Sequence, residues 1–468
     1  MPDISFSSPL PVKAEKAFAW HERPGAFDRL VPPWAPVALQ SFEGIQDGQR
    51  ATIRMGAGPT RFNWIAEHRD YEAGVSFKDV QVKGPFKKWE HTHRMTPEGD
   101  DACLLTDHIE YELPAGRLGQ TLDKVFLGQE IIRQFAYRHR VTATDLRIHQ
   151  KYDGPALTIG LSGSNGLLGR ALRAFLTTGG HTVVPIVRKR GAAGIYWNPD
   201  TGGIDANRFN GIDAVIHLAG EPVFSLRWTE AKKRRIYQSR VIGTHLISKA
   251  LSQVNNPPKI FISASGTGIY GSRGDEVLTE TSRHATDGFL SGVCKEWERA
   301  ATLAADAGIR TVQMRLGPVF SAAGGSLPML SKPFSMFVGG RVGQPDHYLP
   351  WVVLDDVLYA IRHILHHDDL SGPVNLTAPE PATLQETADT LSKVLDRPSW
   401  LHPPVGIIKS IMGEVADETI FQSARVVPRK LLDHGFVFQY PDLHHALGHV
   451  LGKKGFPEEA SVSTPPSR

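Results

Sequence analysis

A glycine-rich turn between two differently patterned apolar runs constrains this chain more than any other feature. Leu157-Thr-Ile-Gly-Leu161 is short and apolar, Ser162-Gly163-Ser164-Asn165-Gly166-Leu167-Leu168-Gly169 follows, and a helix is expected from Arg170 to Thr178, closed by Gly179-Gly180. Thr182 to Val187 is apolar again. The order strand, turn, helix, strand is one unit of a parallel sheet. The three glycines have separate uses. Gly163 permits the tight turn, Gly166 admits a pyrophosphate to the backbone, and Gly169 lets the helix pack close to the strand. Amides and dipole at the helix start then favour phosphate. An ATPase phosphate loop is excluded, because Arg170 and Ala171 stand where Lys and Ser or Thr are required.

The end of the second strand selects the nucleotide. NAD sites usually place an acid there for the ribose hydroxyls, whereas a 2′-phosphate wants a base. This strand ends Ile186-Val187-Arg188-Lys189-Arg190, so Arg188 is expected on a 2′-phosphate and the expected cofactor is NADP. That local placement matters more than the total charge. Lys plus Arg number 52 against 49 acids, a surplus of +3, which argues against a nucleic-acid binder. Apolar and charged fractions of 41% and 22% exclude wholesale disorder. Two cysteines, Cys103 and Cys294, build neither a disulfide framework nor a cysteine-rich zinc site. Neither a secretory leader nor an apolar membrane span is visible. A cytoplasmic location with no membrane span is therefore expected.

The spacing Gly163-x-x-Gly166-x-x-Gly169 is similar to that of the extended, epimerase-like short-chain dehydrogenases/reductases. Asp213-Ala-Val-Ile-His217-Leu218-Ala219-Gly220 follows, then Arg227-Trp228-Thr229, Ser239-Arg240, Arg315-Leu-Gly-Pro-Val319, Gly339-Gly340 and Asn375-Leu-Thr-Ala-Pro379. With Pro428-Arg-Lys-Leu-Leu432, these resemble the "epimerase family" oxidoreductases that close with a small C-terminal domain of unknown function. The resemblance covers Leu157 to Leu451. It implies a doubly wound Rossmann core over 156–320 and a substrate-capping region over 321–451. Leu218, Ala219 and Gly220 would pass beneath the nicotinamide ribose. The segment Leu327–His347 would shape the substrate site, with Arg341 and Gln344 facing a polar or anionic group.

The same resemblance exposes a departure. Such enzymes use Tyr-x-x-x-Lys on a helix with a preceding Ser or Thr. Ser265 is the candidate hydroxyl and Thr267 the runner-up. Alignment on Glu298 puts Leu290 at the tyrosine position and Cys294 at the lysine position, so the dyad is absent. Lys295 is displaced by one residue, about 100° around a helix. Tyr270, Glu280, Asp275 or a group of the substrate itself are the alternative proton donors, and Cys294 reads as a small core residue. Two readings follow: an NADP-dependent oxidoreductase or epimerase-like enzyme with a small-molecule substrate, or a non-catalytic NADP-binding sensor or scaffold.

Before residue 150 the texture differs. Ile53 and Met55, Phe62 and Trp64, then Ile109, Tyr111 and Leu113 alternate in short runs, which reads as an antiparallel sheet with one buried face. A helix is expected near Val12. A longer one, from about Gln120 to Thr144, carries Val125, Leu127, Ile131, Ile132, Phe135 and Ala136. This α+β order resembles the helix-grip fold of the START and polyketide-cyclase superfamily over 1–150, which implies an apolar cavity for a lipophilic ligand. Arg147–Pro155 is expected as a linker and 452–468 as a disordered tail. His91 and His93 share a strand face and His108 stands near, but no clear third ligand is apparent and no metal is expected. His366–Asp369 reads as a polar helix end, Lys232–Arg235 as an exposed helix face, and Thr383-x-x-Glu386 as a capping box. The sequence leaves the oligomeric state open.

Overall fold

The computed structural model describes residues 3–114, 127–453 and 461–463. The chain divides into two compact units, one of Met1–Gly154 with Ala174–Gly180, the other of Pro155–Arg173 with His181–Gly455.

The first unit is mostly strands. Its elements are β1 (Asp3–Leu10), α1 (Ala14–Glu22), α2 (Ala26–Leu30), β2 (Val37–Phe42), β3 (Arg50–Met55), β4 (Phe62–Glu72), β5 (Ser76–Lys83), β6 (Lys88–Glu98), β7 (Ala102–Glu112) and α3 (Gly128–Lys151). The sheet runs β2-β3-β4-β5-β6-β7-β1 with antiparallel neighbours throughout. Alternation is strict in β7, where Cys103, Leu105, Asp107, Ile109 and Tyr111 are buried. The α3 helix lays Ile131 and Phe135 on Phe6, Trp89, Ile109 and Tyr111, with Phe6 and Phe135 stacked at 5.1 Å.

Three sequence expectations need adjustment here. Residues Gln120 to Phe126, with Val125, lie outside the described residues. The long helix continues to Lys151 because Leu146 and Ile148 still find buried positions, so Arg147–Lys151 is its last turn and not a linker. In the tail, Ser461–Ser463 pair antiparallel with Ser5–Ser7, using ladder groups an edge strand leaves open. The other residues from 454 onward lie outside the described set.

The second unit is a Rossmann-like α/β fold. The strands of its main sheet are β8 (Thr158–Ser162), β9 (Thr182–Val187), β10 (Ile195–Asn198), β11 (Gly203–Ile204), β12 (Ala214–His217), β13 (Ile260–Gly266), β14 (Arg310–Leu316) and β15 (Gly372–Leu376). They lie in the order β11-β10-β9-β8-β12-β13-β14-β15, parallel except at the β10–β11 hairpin. The helices used below are α4 (Leu167–Thr178), α5 (Glu230–Tyr237), α6 (Gly243–Leu251) and α7 (Phe289–Asp306). Ile247 and Leu251 of α6 and Ala301 and Ala304 of α7 pack on Val215 and Phe261 of the sheet. The expected capping box forms at Thr383 and Glu386. Among the described residues no helix is long and apolar enough to cross a membrane.

Candidate functional site

The chain leaves β8 to build β9 on one side and returns to build β12 on the other. The C-terminal ends of β8 and β12 therefore flank a topological switch point, where open α/β sheets bind ligands. The glycine turn lies there. Gly163 has φ +69, and a methyl group on it would stand 2.9 Å from the Ala219 nitrogen. On Gly169 a methyl would meet the Gly163 carbonyl oxygen at 2.1 Å, whereas on Gly166 it would meet only that oxygen, at 3.3 Å. Arg170 N donates to Gly166 O at 3.0 Å, so the amides of Leu167, Leu168 and Gly169 are the unsatisfied first turn of α4. Ser164 is buried beneath the turn, and Asn165 and Gly166 are exposed. The chemistry and space suit a pyrophosphate.

Below the turn, one hydroxyl ties the two strand ends together. Ser162 Oγ accepts from Leu218 N at 3.0 Å and from Ala219 N at 3.2 Å. Its own proton therefore goes to His217 Nδ1, 2.6 Å away. This bond fixes the neutral imidazole with its proton on Nε2, and burial pushes His217 down to about 3. Between about pH 6.5 and 3 the unfolded chain takes up a proton that folded His217 refuses. Stability should thus fall on acidification through that window, by roughly 1.4 kcal/mol per pH unit at most from this group. His21 of the first unit, pushed down to about 4 chiefly by burial, acts in the same direction. Urea unfolding of the second unit between pH 6.5 and 4 checks this, and His217→Asn should flatten the slope by up to one proton.

At the end of β9, Arg188, Lys189 and Arg190 are all exposed. The Arg188 guanidinium lies 5.8 Å from the Trp197 ring and Arg190 lies 4.5 Å over Tyr196. Arg188 forms no ion pair among the described residues.

Strand β13 carries Ser265 into the turn Thr267–Tyr270. Ser265 Oγ donates to Glu298 Oε1 at 2.8 Å. The Arg315 guanidinium grips both Glu298 oxygens, at 2.8 and 2.9 Å, and donates to Tyr270 Oη at 2.8 Å and His284 Nε2 at 3.0 Å. Tyr270 in turn donates to Asn375 Oδ1 at 2.7 Å; it is fully buried, and burial pushes its phenol up. Ser265 and Tyr270 thus share one network, while Thr267 Oγ1 points to the Leu316 carbonyl, 3.5 Å away. Glu280 Oε1 is occupied by the amides of Asn375 and Lys430, and Asp275 is exposed. Arg341 binds back to Gly343 O at 2.5 Å, and Gln344 is exposed.

Cys294 lies 3.5 Å from the position a methyl on Gly266 would take, and burial pushes its thiol up to about 12. Lys295 is half-buried one position on. A guanidinium reaches this region from elsewhere. Arg240 lies 5.0 Å over the Trp297 ring and 3.2 Å from where a methyl on Gly220 would sit. It donates to Glu221 O at 2.8 Å and biases the Cys294 thiol. Sequence reasoning missed Arg240 and His284 as site residues. The one hint was Ser239-Arg240 among the residues that carry the family resemblance. Lys232 and Arg235 pair with Glu221; of the expected exposed face Lys232–Arg235, Arg234 and Arg235 are exposed, whereas Lys232 and Lys233 are half-buried.

The first unit holds a cavity of about 180 Å³. Phe77, Trp89, Ile131 and Phe135 form apolar wall, and His68, Asp79, His91 and His93 also line it. The third group missing from the sequence reading is Asp79, which pairs across the sheet with His91. His108 pairs with Thr92 and so faces the opposite side, where it meets Ser5 Oγ at 2.8 Å.

Together the crossover, the glycine turn and the buried Ser–Glu–Arg cluster define a Rossmann-like protein of the epimerase type. The NAD dependent epimerase/dehydratase family matches residues 159–376, and a domain of unknown function, DUF1731, matches 404–450. An epimerase family protein of Mycobacterium bovis is 35% identical over 299 residues, 64% of this chain and 98% of the relative. Among solved structures, the nucleoside-diphosphate sugar epimerase from Corynebacterium glutamicum is 31% identical with TM-score 0.78, covering 96% of this chain and 90% of that one. The human epimerase family protein SDR39U1 with NADPH is 28% identical with TM-score 0.58, covering 63% of this chain and 99% of that one. The chain belongs to the epimerase family.

Proposed function

We propose that this chain is an NADP-dependent oxidoreductase or epimerase-like enzyme built on a core at 156–320 and a substrate-capping region at 321–451. One observation carries the cofactor reading: the glycine turn lies at the switch point, and the adjacent strand β9 ends in Arg188 with no acid to hold ribose hydroxyls. The human relative solved with NADPH supports it. Gly163, Ser164, Asn165, Gly166, Leu167, Leu168 and Gly169 would cradle the pyrophosphate, Arg188 the 2′-phosphate, and Leu218, Ala219 and Gly220 the nicotinamide ribose. The cofactor supplies a hydride when bound. Ser265 would hydrogen-bond the substrate oxygen, kept in place by Glu298, with Thr267 and Tyr270 as further polar groups, and Arg341 and Gln344 would meet the substrate's polar end.

Calorimetry with NADPH, followed by a screen of carbonyl substrates, tests this reading; absence of NADPH binding overturns it. Arg188→Ala should weaken NADPH by about 10- to 100-fold, the worth of a charge-assisted hydrogen bond, and leave NADH nearly unchanged. Equal losses for both would sink the assignment of NADP.

A second reading is favoured by Leu290 and Cys294 at the dyad positions: an NADP-binding sensor or scaffold without chemistry. NADPH binding with no turnover across broad substrate panels would select it. In either reading the first unit is a helix-grip domain of START and polyketide-cyclase type, and its apolar cavity takes a lipophilic ligand.

A further inference from the structure

The inner face of an antiparallel sheet is ordinarily apolar, because burying charge without partners is costly. Here that face carries His68, Asp79, His91, His93 and Asp107 side by side, all assigned by register. Asp79 is opposite both His68 and His91, and His93 is opposite Asp107. Asp79, His91 and His93 each present one ligand-type atom, and the three atoms lie within 4.8 Å of one another.

We propose that Asp79, His91 and His93 form a binding site for a divalent transition-metal ion, of zinc or ferrous-iron type, that opens into the cavity of the first unit. Asp79 Oδ2 is 3.5 Å from His93 Nε2 and 3.7 Å from His91 Nδ1. Ligands about 2.1 Å from a tetrahedral ion stand roughly 3.4 Å apart, so both Asp79 spacings match a single ion, with the two histidine nitrogens within 4.8 Å of each other. The remaining nitrogens complete the pattern. Asp107 Oδ1 lies 2.7 Å from His93 Nδ1 and 3.4 Å from His91 Nε2, so each histidine turns one nitrogen toward Asp79 and the other toward Asp107. A carboxylate behind the ligating imidazole is the usual device that orients it and fixes its tautomer. Asp107 is itself held by His139 Nε2 at 3.0 Å, and His139 Nδ1 meets Ser8 Oγ at 3.0 Å. His68 Nε2 holds the other Asp79 oxygen at 2.9 Å.

Three protein ligands leave a coordination position open, as in catalytic rather than structural metal sites. The three ligands line the cavity together with Phe77, Trp89, Phe135 and the half-buried Arg138. The ligand class is therefore an apolar molecule carrying one carbonyl or carboxylate oxygen for the ion. This inference concerns the first unit alone and stands apart from the nucleotide reading.

The test uses the full chain without a histidine tag, stripped with chelator and titrated with Co²⁺. The expected result is one Co²⁺ per chain with visible absorption bands, displaced by Zn²⁺. X-ray absorption of the wild-type cobalt form should show two imidazoles with oxygen ligands. Asp79→Asn and His93→Ala should abolish stoichiometric uptake, and Asp107→Asn should weaken it about 10- to 100-fold. His108→Ala, on the opposite face, should leave uptake unchanged. Unaltered far-ultraviolet circular dichroism and tryptophan fluorescence identify variants that remain folded. The proposal is overturned if the wild type takes up no stoichiometric metal, if its cobalt lacks imidazole ligands, or if folded Asp79→Asn binds as well as wild type.

Discussion

Gly169→Ala should be among the most damaging single substitutions in the second unit, costing about 3 kcal/mol or more. A methyl there would stand 2.1 Å from the Gly163 carbonyl oxygen, 2.7 Å from its carbon and 2.9 Å from Ser164 Cα. All three are backbone atoms, so no side chain can swing away. Either the helix moves off the strand end or the turn opens, and overpacking of this kind sits at the upper end of the usual range of roughly 1–3 kcal/mol. Gly166→Val provides the contrast. Its first carbon meets a single atom at 3.3 Å on an exposed stretch of turn, so stability should change by no more than about 1 kcal/mol. Its branches nevertheless fill the space through which a pyrophosphate would approach the amides of α4, and NADPH affinity should fall about 100-fold, roughly 2.7 kcal/mol. Urea unfolding and NADPH calorimetry on both variants check the pair. A Gly166→Val protein with undiminished NADPH affinity would remove the turn from the binding site, whatever Gly169→Ala does.

That contrast also indicates why this part of the chain was legible in its sequence. The turn, α4 and β9 are contiguous, and the role of each glycine follows from local geometry. The strand alternation of the first unit is legible for the same reason: period two needs no knowledge of partners. What depends on partners was not. His91 and His93 share a face by parity alone, but the third ligand candidate, Asp79, comes from a neighbouring strand and its position is set by register. His108 looked close to them, yet one residue of parity sends it to the other face. The end of α3 was missed because its final residues are polar apart from Leu146 and Ile148, whose burial only the tertiary structure supplies. Arg240 was named only within the motif Ser239-Arg240; its contact with Trp297 depends on α7 packing nearby. Ser265 was named through the family resemblance, as the hydroxyl after a strand. Its partner Glu298 was known only as an alignment landmark.

Arg315→Leu should destabilise the second unit by about 3 kcal/mol, the lower end of the cost of leaving one member of a buried pair without the other, because the Glu298 side chain is 13% exposed. Arg315 is 1% exposed, and its guanidinium makes a two-pronged bond to Glu298 at 2.8 and 2.9 Å. It also donates to the Glu280 carbonyl at 3.2 Å and to Tyr270 at 2.8 Å. Without it, Glu298 keeps, among the described residues, only the Ser265 hydroxyl as a hydrogen-bonding side chain, and the Tyr270 oxygen loses its donor. Arg315→Lys should recover only part of the loss, because an ammonium cannot reproduce a planar fork reaching two carboxylate oxygens, a phenol and a histidine at once. The double variant Arg315→Leu, Glu298→Leu should lose less than the two single losses added, since it removes the stranded charge. Ser265→Ala separates architecture from function. It should cost only about 1 kcal/mol, because Arg315 continues to hold Glu298, and NADPH binding should persist. Any hydride transfer that depends on the Ser265 hydroxyl should be lost. If Arg315→Leu costs less than about 1 kcal/mol by urea unfolding, the cluster is hydrated rather than closed, and Glu298 cannot be what positions Ser265.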